Sequence, residues 1–257
     1  MIANYHTHTK YCHHAQGEAE EYVRGAIAMG LEINGFSDHA PFAYPDDGFE
    51  AHFRVSTADA AIEIAELRAL REKYKGQIEL PIGFEMEYYP DWFDAMLSYV
   101  KSVGAEYLIL GQHFFECDKP GYPRTLAPTF SDELLRKYAD NLIAGLETGV
   151  FSYLAHPDVV WYMGPKKTYL AEMGRICDAA NRLDIPLELN LLGIWKNRNY
   201  PKKAFWKLVG EKGCKVVLGI DAHGPERFAM PEIEEQAMEW VRKYGLNLVE
   251  KVELRKL

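Results

Sequence analysis

The sequence predicts an α/β fold built on a parallel sheet, with its functional residues at the C-terminal ends of the strands. Three observations predict it. Seven short β-type runs alternate with seven amphipathic helical stretches along 257 residues, and such alternation favours parallel strands joined by right-handed crossovers. No low-complexity linker or charge block interrupts the chain, so residues 1–257 read as a single domain. Histidines and acids recur at the ends of the β-type runs, where α/β barrels build their sites. Barrel closure is the natural use of so many units, although an open doubly wound sheet meets the same alternation.

The elements follow in order. A strand at Ile2–Tyr5 leads to a helix over Glu18–Met29, and a second strand at Ile33–Phe36 to a helix over Thr57–Tyr74. That second helix shows the periodicity plainly. Ile62, Ala65 and Ala69, with Ile64 and Leu67 on the next stripe, recur at three- and four-residue spacing, while Glu63, Glu66, Arg68, Arg71 and Glu72 fill the other face. Strands at Leu80–Phe84, Tyr107–Leu110 and Phe151–Leu154 precede helices over Trp92–Ser102, Asp132–Glu147 and Thr168–Arg182. Strands at Pro186–Leu189 and Lys215–Ile220 precede helices over Lys202–Glu211 and Pro231–Tyr244, and Glu250–Leu254 offers a last edge strand.

Composition sets the class. Hydrophobic residues make up 48% and charged residues 26%, enough apolar material for a full core and too much for a disordered chain. The net charge of −9, with no dense basic run, argues against a nucleic-acid partner. The four cysteines are widely spaced and form no C-x-x-C pair, which predicts a reducing, cytoplasmic setting. No basic-then-apolar leader opens the sequence, and no apolar run is long enough to span a bilayer, so no membrane association is expected.

The chemistry lies in the order of the donors. His6 and His8 close the first strand and His39 follows the second. Glu85 closes the third, His113 the fourth, His156 the fifth, and Asp221 with His223 the seventh. Residues two apart on a strand share a face, so His6 with His8, and Asp221 with His223, can each reach one ion. A single His-x-His is weak evidence; two such pairs plus further strand-end donors point to metal. So many donors exceed the needs of one tetrahedral ion, and a cluster is implied in which Glu85 bridges through its two oxygens.

The segment His6-Thr7-His8-Thr9-Lys10-Tyr11-Cys12-His13-His14-Ala15-Gln16-Gly17 resembles the opening motif of the PHP (polymerase and histidinol phosphatase) family. Asp38-His39, Glu85, His113, His156 and Asp221-Ala222-His223 match its later motifs in the same order. The resemblance runs from His6 to His223. It implies a distorted (β/α)7 TIM-like barrel and a trinuclear site of divalent transition-metal ions, with zinc, iron and manganese all suited to the donors. One ion would take His6, His8, Glu85 and Asp221, a second Glu85, His113 and His156, and a third His14, His39 and His223. Glu85, Asp221 and His223 would be the catalytic ligands. Within the family the Cys-His-His-Ala-x-Gly, Gly-Phe-Glu and Gly-Ile-Asp-Ala-His stretches most resemble the histidinol-phosphate phosphatases. The implied activity is therefore hydrolysis of a small phosphorylated substrate. The family also holds phosphoesterases for other small phosphate esters and metal-stabilised modules without catalysis. An amidohydrolase usually uses a strand-end Lys, which is absent here.

Several positions are settled by choice. His14 is expected as a ligand over the adjacent His13 because it keeps the spacing from His6, and Glu85 is preferred to Glu87, which is read as a supporting or surface residue. His52 reads equally as an exposed loop residue or a substrate contact, and Cys12 as a buried structural thiol. A phosphate clamp is expected from Arg198 and Lys196 after the sixth strand. After the fifth, Val159-Val160-Trp161-Tyr162 is apolar where the resemblance points to a cation, and Lys166 and Lys167 come only later.

Overall fold

The computed structural model describes residues 1–257. All strand pairs are parallel. A seven-stranded sheet runs in sequence order through β3 (Phe36–His39), β4 (Ile82–Met86), β5 (Tyr107–Leu110), β6 (Phe151–Leu154), β7 (Leu187–Asn190), β8 (Lys215–Gly219) and β9 (Asn247–Leu248). A separate two-stranded sheet pairs β1 (Ala3–Asn4) with β2 (Ile33–Asn34). Hydrogen bonds reach from the β1 segment in both directions. His8 N–H donates to the Ala222 carbonyl, and on the other flank Ser37 N–H donates to the Thr7 carbonyl and Gly35 N–H to that of Asn4. Thr7 and Ala222 form only an isolated bridge, so the ladders make an open sheet and a short pair, not one closed barrel.

Helices α1 (Ala19–Met29), α2 (Ala60–Lys73), α3 (Phe93–Val103), α4 (Asp132–Glu147), α5 (Lys166–Leu183), α6 (Leu191–Trp195), α7 (Lys203–Lys212) and α8 (Pro231–Tyr244) fill the connections. Their apolar stripes pack on one face of the strands, joining Leu108 and Leu110 of β5 to Leu135, Leu142 and Leu146 of α4 in the main core. The alternate strand residues point the other way. Tyr107 and Ile109 meet Ala3, Tyr5, Ile33, Tyr153, Ala155, Val217 and Val252 in a second, smaller cluster. None of the helices is long and apolar enough to cross a membrane.

Four expectations need correction. The second strand is broken at Gly35 into β2 and β3. The Tyr107 hydroxyl donates to the carbonyls of Tyr5 and Phe36 at 2.9 and 3.0 Å, and a Cβ at residue 35 would fall 2.4 Å from that hydroxyl. The edge strand lies at Asn247–Leu248, not Glu250–Leu254; the latter segment instead lays Val252 into the smaller cluster, its backbone bonded to Tyr5. Asp38, His39, Glu85 and Met86 lie inside their strands and not beyond them. Helix α6 was not foreseen; Asn190 starts it by accepting from Gly193 N–H at 2.9 Å.

Candidate metal centre

All nine expected donors converge at the C-terminal ends of the strands. Glu85, on β4, is the hub. One of its oxygens lies 2.8 Å from His156 Nε2 and 3.5 Å from His113 Nε2. The other lies 3.2 Å from His39 Nδ1, 3.5 Å from His6 Nε2 and 3.6 Å from His8 Nε2. Asp221 Oδ1 faces His223, His8 and His6 at 3.2, 3.3 and 3.6 Å. His14 completes the ring: its Nε2 is 3.0 Å from His223 Nε2. Adjacent His13 takes the left-handed conformation at φ 61° and is exposed, as is His14, but it is the His14 ring that meets His223 and stacks on His39. Gly111 is required beside the hub, because a Cβ there would sit 1.9 Å from a Glu85 oxygen.

The donor set fits cations. His6 Nε2, both His8 nitrogens, His39 Nδ1, His156 Nδ1 and both Glu85 oxygens are buried without a hydrogen-bond partner. Leaving so many polar atoms unsatisfied costs about 1–3 kcal/mol each unless something else meets them. Burial and then His223 hold His8 down at about 4. Burial also lowers His14 and takes His39 well below the ordinary imidazole value. Burial disfavours the anion of Glu85, but His113, His39, His6 and His156 together hold it well below the carboxylate range. Against burial, Glu188 and then Asp221 raise His6, Glu85 raises His156 and Asp221 raises His223, so neutral and protonated imidazoles share the ionised carboxylates, and a bound metal would displace those protons. His156 and Asp221 take positive φ values of 27° and 53°, a strained conformation of the kind that gathers at functional sites.

A second layer aims the first. Glu188 Oε1 accepts from His6 Nδ1 at 2.7 Å, and its other oxygen accepts from His156 N–H at 3.0 Å and the Asn190 amide at 2.9 Å. Glu87 Oε1 accepts from His113 Nδ1 at 3.0 Å, while Arg54 donates to Glu87 at 2.6 Å and also pairs with Asp118. Carboxylate partners of this kind fix ring orientation and ligand basicity. The sequence reading put Glu87 in support or at the surface, and the structure buries it in support. It overlooked Glu188, Arg54 and Asp118. An acid inside Pro-Leu-Glu-Leu-Asn, flanked by apolar residues at the end of a strand, was the available signal for Glu188.

Above the donors opens a cavity of about 520 Å³. Arg198 and Lys196 line it, as expected, and so do two cations the sequence reading missed, Arg124 and Arg227. Arg227 lies over Trp195, 3.0 Å from the ring centre, and pairs with Glu226; Lys196 lies 3.8 Å from the same ring centre. Lys166 and Lys167 are exposed in the first turn of α5 and do not line the cavity. His52 is exposed; its neighbour Phe53 lines the cavity and packs edge-on against His39. Cys12 is buried and its thiol pushed far up by burial and by Asp38, which leaves no thiolate for attack.

The chain is 24% identical over 233 residues to a probable histidinol-phosphatase from Deinococcus radiodurans, covering 87% of each. It is 23% identical over 264 residues to a probable histidinol-phosphatase from Schizosaccharomyces pombe, covering 90% of this chain and 83% of that one. Among solved structures, a histidinol phosphate phosphatase from Lactococcus lactis, complexed with zinc, L-histidinol and phosphate, superposes with a TM-score of 0.71 at 20% identity over 96% of this chain and 95% of that one. A putative histidinol phosphatase from Listeria monocytogenes gives 0.72 at 18% identity, covering 88% and 96%. These two share the fold. The PHP domain model matches residues 4–191, from β1 to the start of α6 and so most of the strand-end donors, and the chain belongs to the PHP domain family.

Proposed function

We propose that the protein is a metal-dependent phosphomonoesterase that hydrolyses L-histidinol phosphate to L-histidinol and phosphate. One observation carries it: buried, unsatisfied imidazole and carboxylate atoms form the floor of a cavity whose walls are cationic and aromatic. Relatives named histidinol-phosphatase, aligned over nearly nine tenths of the chain, support the substrate. His6, His8, Glu85, Asp221, His113, His156, His14, His39 and His223 would hold up to three divalent ions. When bound, such ions ionise a water near neutral pH and neutralise charge on the phosphoryl oxygens. The chain's own residues do the rest. Glu188 and Glu87 hold the His6 and His113 rings in register. Arg198, steadied by the Tyr200 hydroxyl at 3.1 Å, presents a planar donor fork to a phosphate oxygen. Phe53, Trp195 and Tyr200 offer flat walls to an imidazole.

The reading includes the architecture. We take residues 1–257 as one domain whose strands curl into a distorted (β/α)7 barrel, supported by the hydrogen bonds of the β1 segment to both Ala222 and Ser37. Four free, buried cysteines suit a reducing compartment such as the cytoplasm. A second reading, a PHP phosphoesterase for another small phosphate ester, is favoured only by the apolar Val159–Val160 pair where a cation was expected.

Phosphate release from histidinol phosphate, p-nitrophenyl phosphate, nucleoside monophosphates and phosphotyrosine tests the assignment. We expect kcat/KM for histidinol phosphate to exceed the others by more than about tenfold, some 1.4 kcal/mol of transition-state discrimination. A smaller preference makes the protein a general phosphatase of the family.

A further inference from the structure

Val159 and Val160 sit in the core, so the wall of the cavity after β6 carries no cation of its own. The adjoining wall does. Arg124, from the loop between β5 and α4, lines the cavity together with Arg198. Both also border a shallow groove that continues from it past Trp161. The two guanidinium groups therefore flank one opening.

The mounting of Arg124 is fixed on two sides. Phe114 and Arg124 form an antiparallel bridge, and Thr125 N–H donates to the carbonyl of His113 at 2.9 Å. The Thr125 hydroxyl donates to the Gln112 carbonyl at 2.9 Å. On the far side Trp161 N–H donates to the Thr125 carbonyl at 2.8 Å, and Thr129 N–H to that of Trp161 at 2.9 Å. The backbone under Arg124 is thus stitched directly to a residue of the donor cluster and to the apolar segment that lacks a cation.

Its charge is uncommitted. The guanidinium lies 5.3 Å from the centre of the Phe114 ring and pairs with no carboxylate. Arg227, across the cavity, is neutralised by Glu226 and laid on Trp195. A dianion entering the cavity meets two unpaired guanidinium groups at Arg124 and Arg198, whereas on the Trp195 ring Arg227 is neutralised and Lys196 is the unpaired cation. We infer that Arg124 is a phosphate-binding residue, supplying with Arg198 the second cation that the segment after β6 does not. The inference rests on the phosphatase reading.

The test measures binding of inorganic phosphate to the manganese-loaded protein by calorimetry, with metal content checked, for wild type, Arg124→Gln and Arg124→Lys. One charge-assisted contact is worth about ten- to a hundredfold. Arg124→Gln is expected to weaken phosphate by at least about tenfold with metal content unchanged, and kcat/KM for histidinol phosphate to fall in step. Arg124→Lys should recover part of both, since a point charge replaces the net charge but not the fork. Phosphate affinity in Arg124→Gln within about twofold of wild type would overturn the inference, because a clamping cation cannot be removed so cheaply. A loss that tracks metal loss, with no recovery in Arg124→Lys, would overturn it as well. Arg124-dependent phosphate binding in a protein that turns over no monoester would instead contradict the phosphatase reading and leave the clamp in place.

Discussion

The same strands build two different interiors. In one, Tyr5, Tyr107, Ile109, Tyr153 and Val217 pack with Val252 into a small apolar cluster. A few residues further along the same segments, His6, His113, His156 and Asp221 crowd around Glu85 with many polar atoms unsatisfied. The first interior stabilises by burial and by hydrogen bonds such as those of the Tyr107 hydroxyl. The second costs stability, because desolvated carboxylates and imidazoles have given up water without full replacement. One period-two strand serves both, and the division predicts which substitutions cost function and which cost the fold.

The largest effect is expected at the hub. Glu85→Gln should reduce turnover to the assay background and lower metal content, while the thermal midpoint of the metal-free protein stays level or rises, since a buried charge is gone. A collapse of secondary structure in that variant would show that the upper interior also holds the fold. Tyr107→Ala should do the reverse. Loss of a fully buried aromatic costs about 3–5 kcal/mol, readable by urea denaturation, with metal bound per folded molecule unchanged. His14→Ala should strip one ion and most activity, and His13→Ala neither, as elemental analysis and initial rates would report. If His13→Ala were the damaging change, the loop would be placed one residue out.

Arg54→Met probes the boundary between the interiors. It breaks the chain from Asp118 through Glu87 to His113, and loss of such a supporting partner costs about ten- to a hundredfold in metal affinity or activity. Chelator competition separates this from misfolding. The smallest effect belongs to the outer shell. Lys73, Tyr74 and Arg24 hold Glu20 down at about 2, below its ordinary 4.5. A depressed carboxylate stabilises the folded state above its unfolded pKa and loses that contribution as pH falls from about 4.5 through 2. Glu20→Gln should therefore flatten part of the acid limb of the stability curve and leave the neutral-pH rate untouched.

How much was legible follows from the same division. Most of the donors were readable as polar residues after an apolar run and His14 by its spacing from His6, and their order along the chain repeats a known pattern. The seven strands and seven long helices were readable from periodicity, but the face of α2 was not: Ile64, Leu67 and Leu70 are buried with Glu63, whereas Ile62, Ala65 and Ala69 are exposed. Contacts across the sheet were not. The break at Gly35 is imposed by Tyr107, some seventy residues away in the chain, and no local pattern announces it. Arg54 and Asp118 sit in loops that read as polar and exposed, and only folding shows them buried against Glu87. Arg124 and Arg227 were not legible because they lie off the strand motifs, reaching the cavity from a bridged loop after β5 and a short 3₁₀ turn before α8.

The central claim is that the strand-end cluster is a metal centre that the reaction needs. Elemental analysis of the purified protein, repeated after chelation and after adding back manganese or zinc, with histidinol phosphate hydrolysis measured on the same samples, tests it most directly. The account predicts up to three ions per chain, loss of both metal and turnover on chelation, and recovery of both on reconstitution. Full activity in protein shown to be free of metal would contradict it.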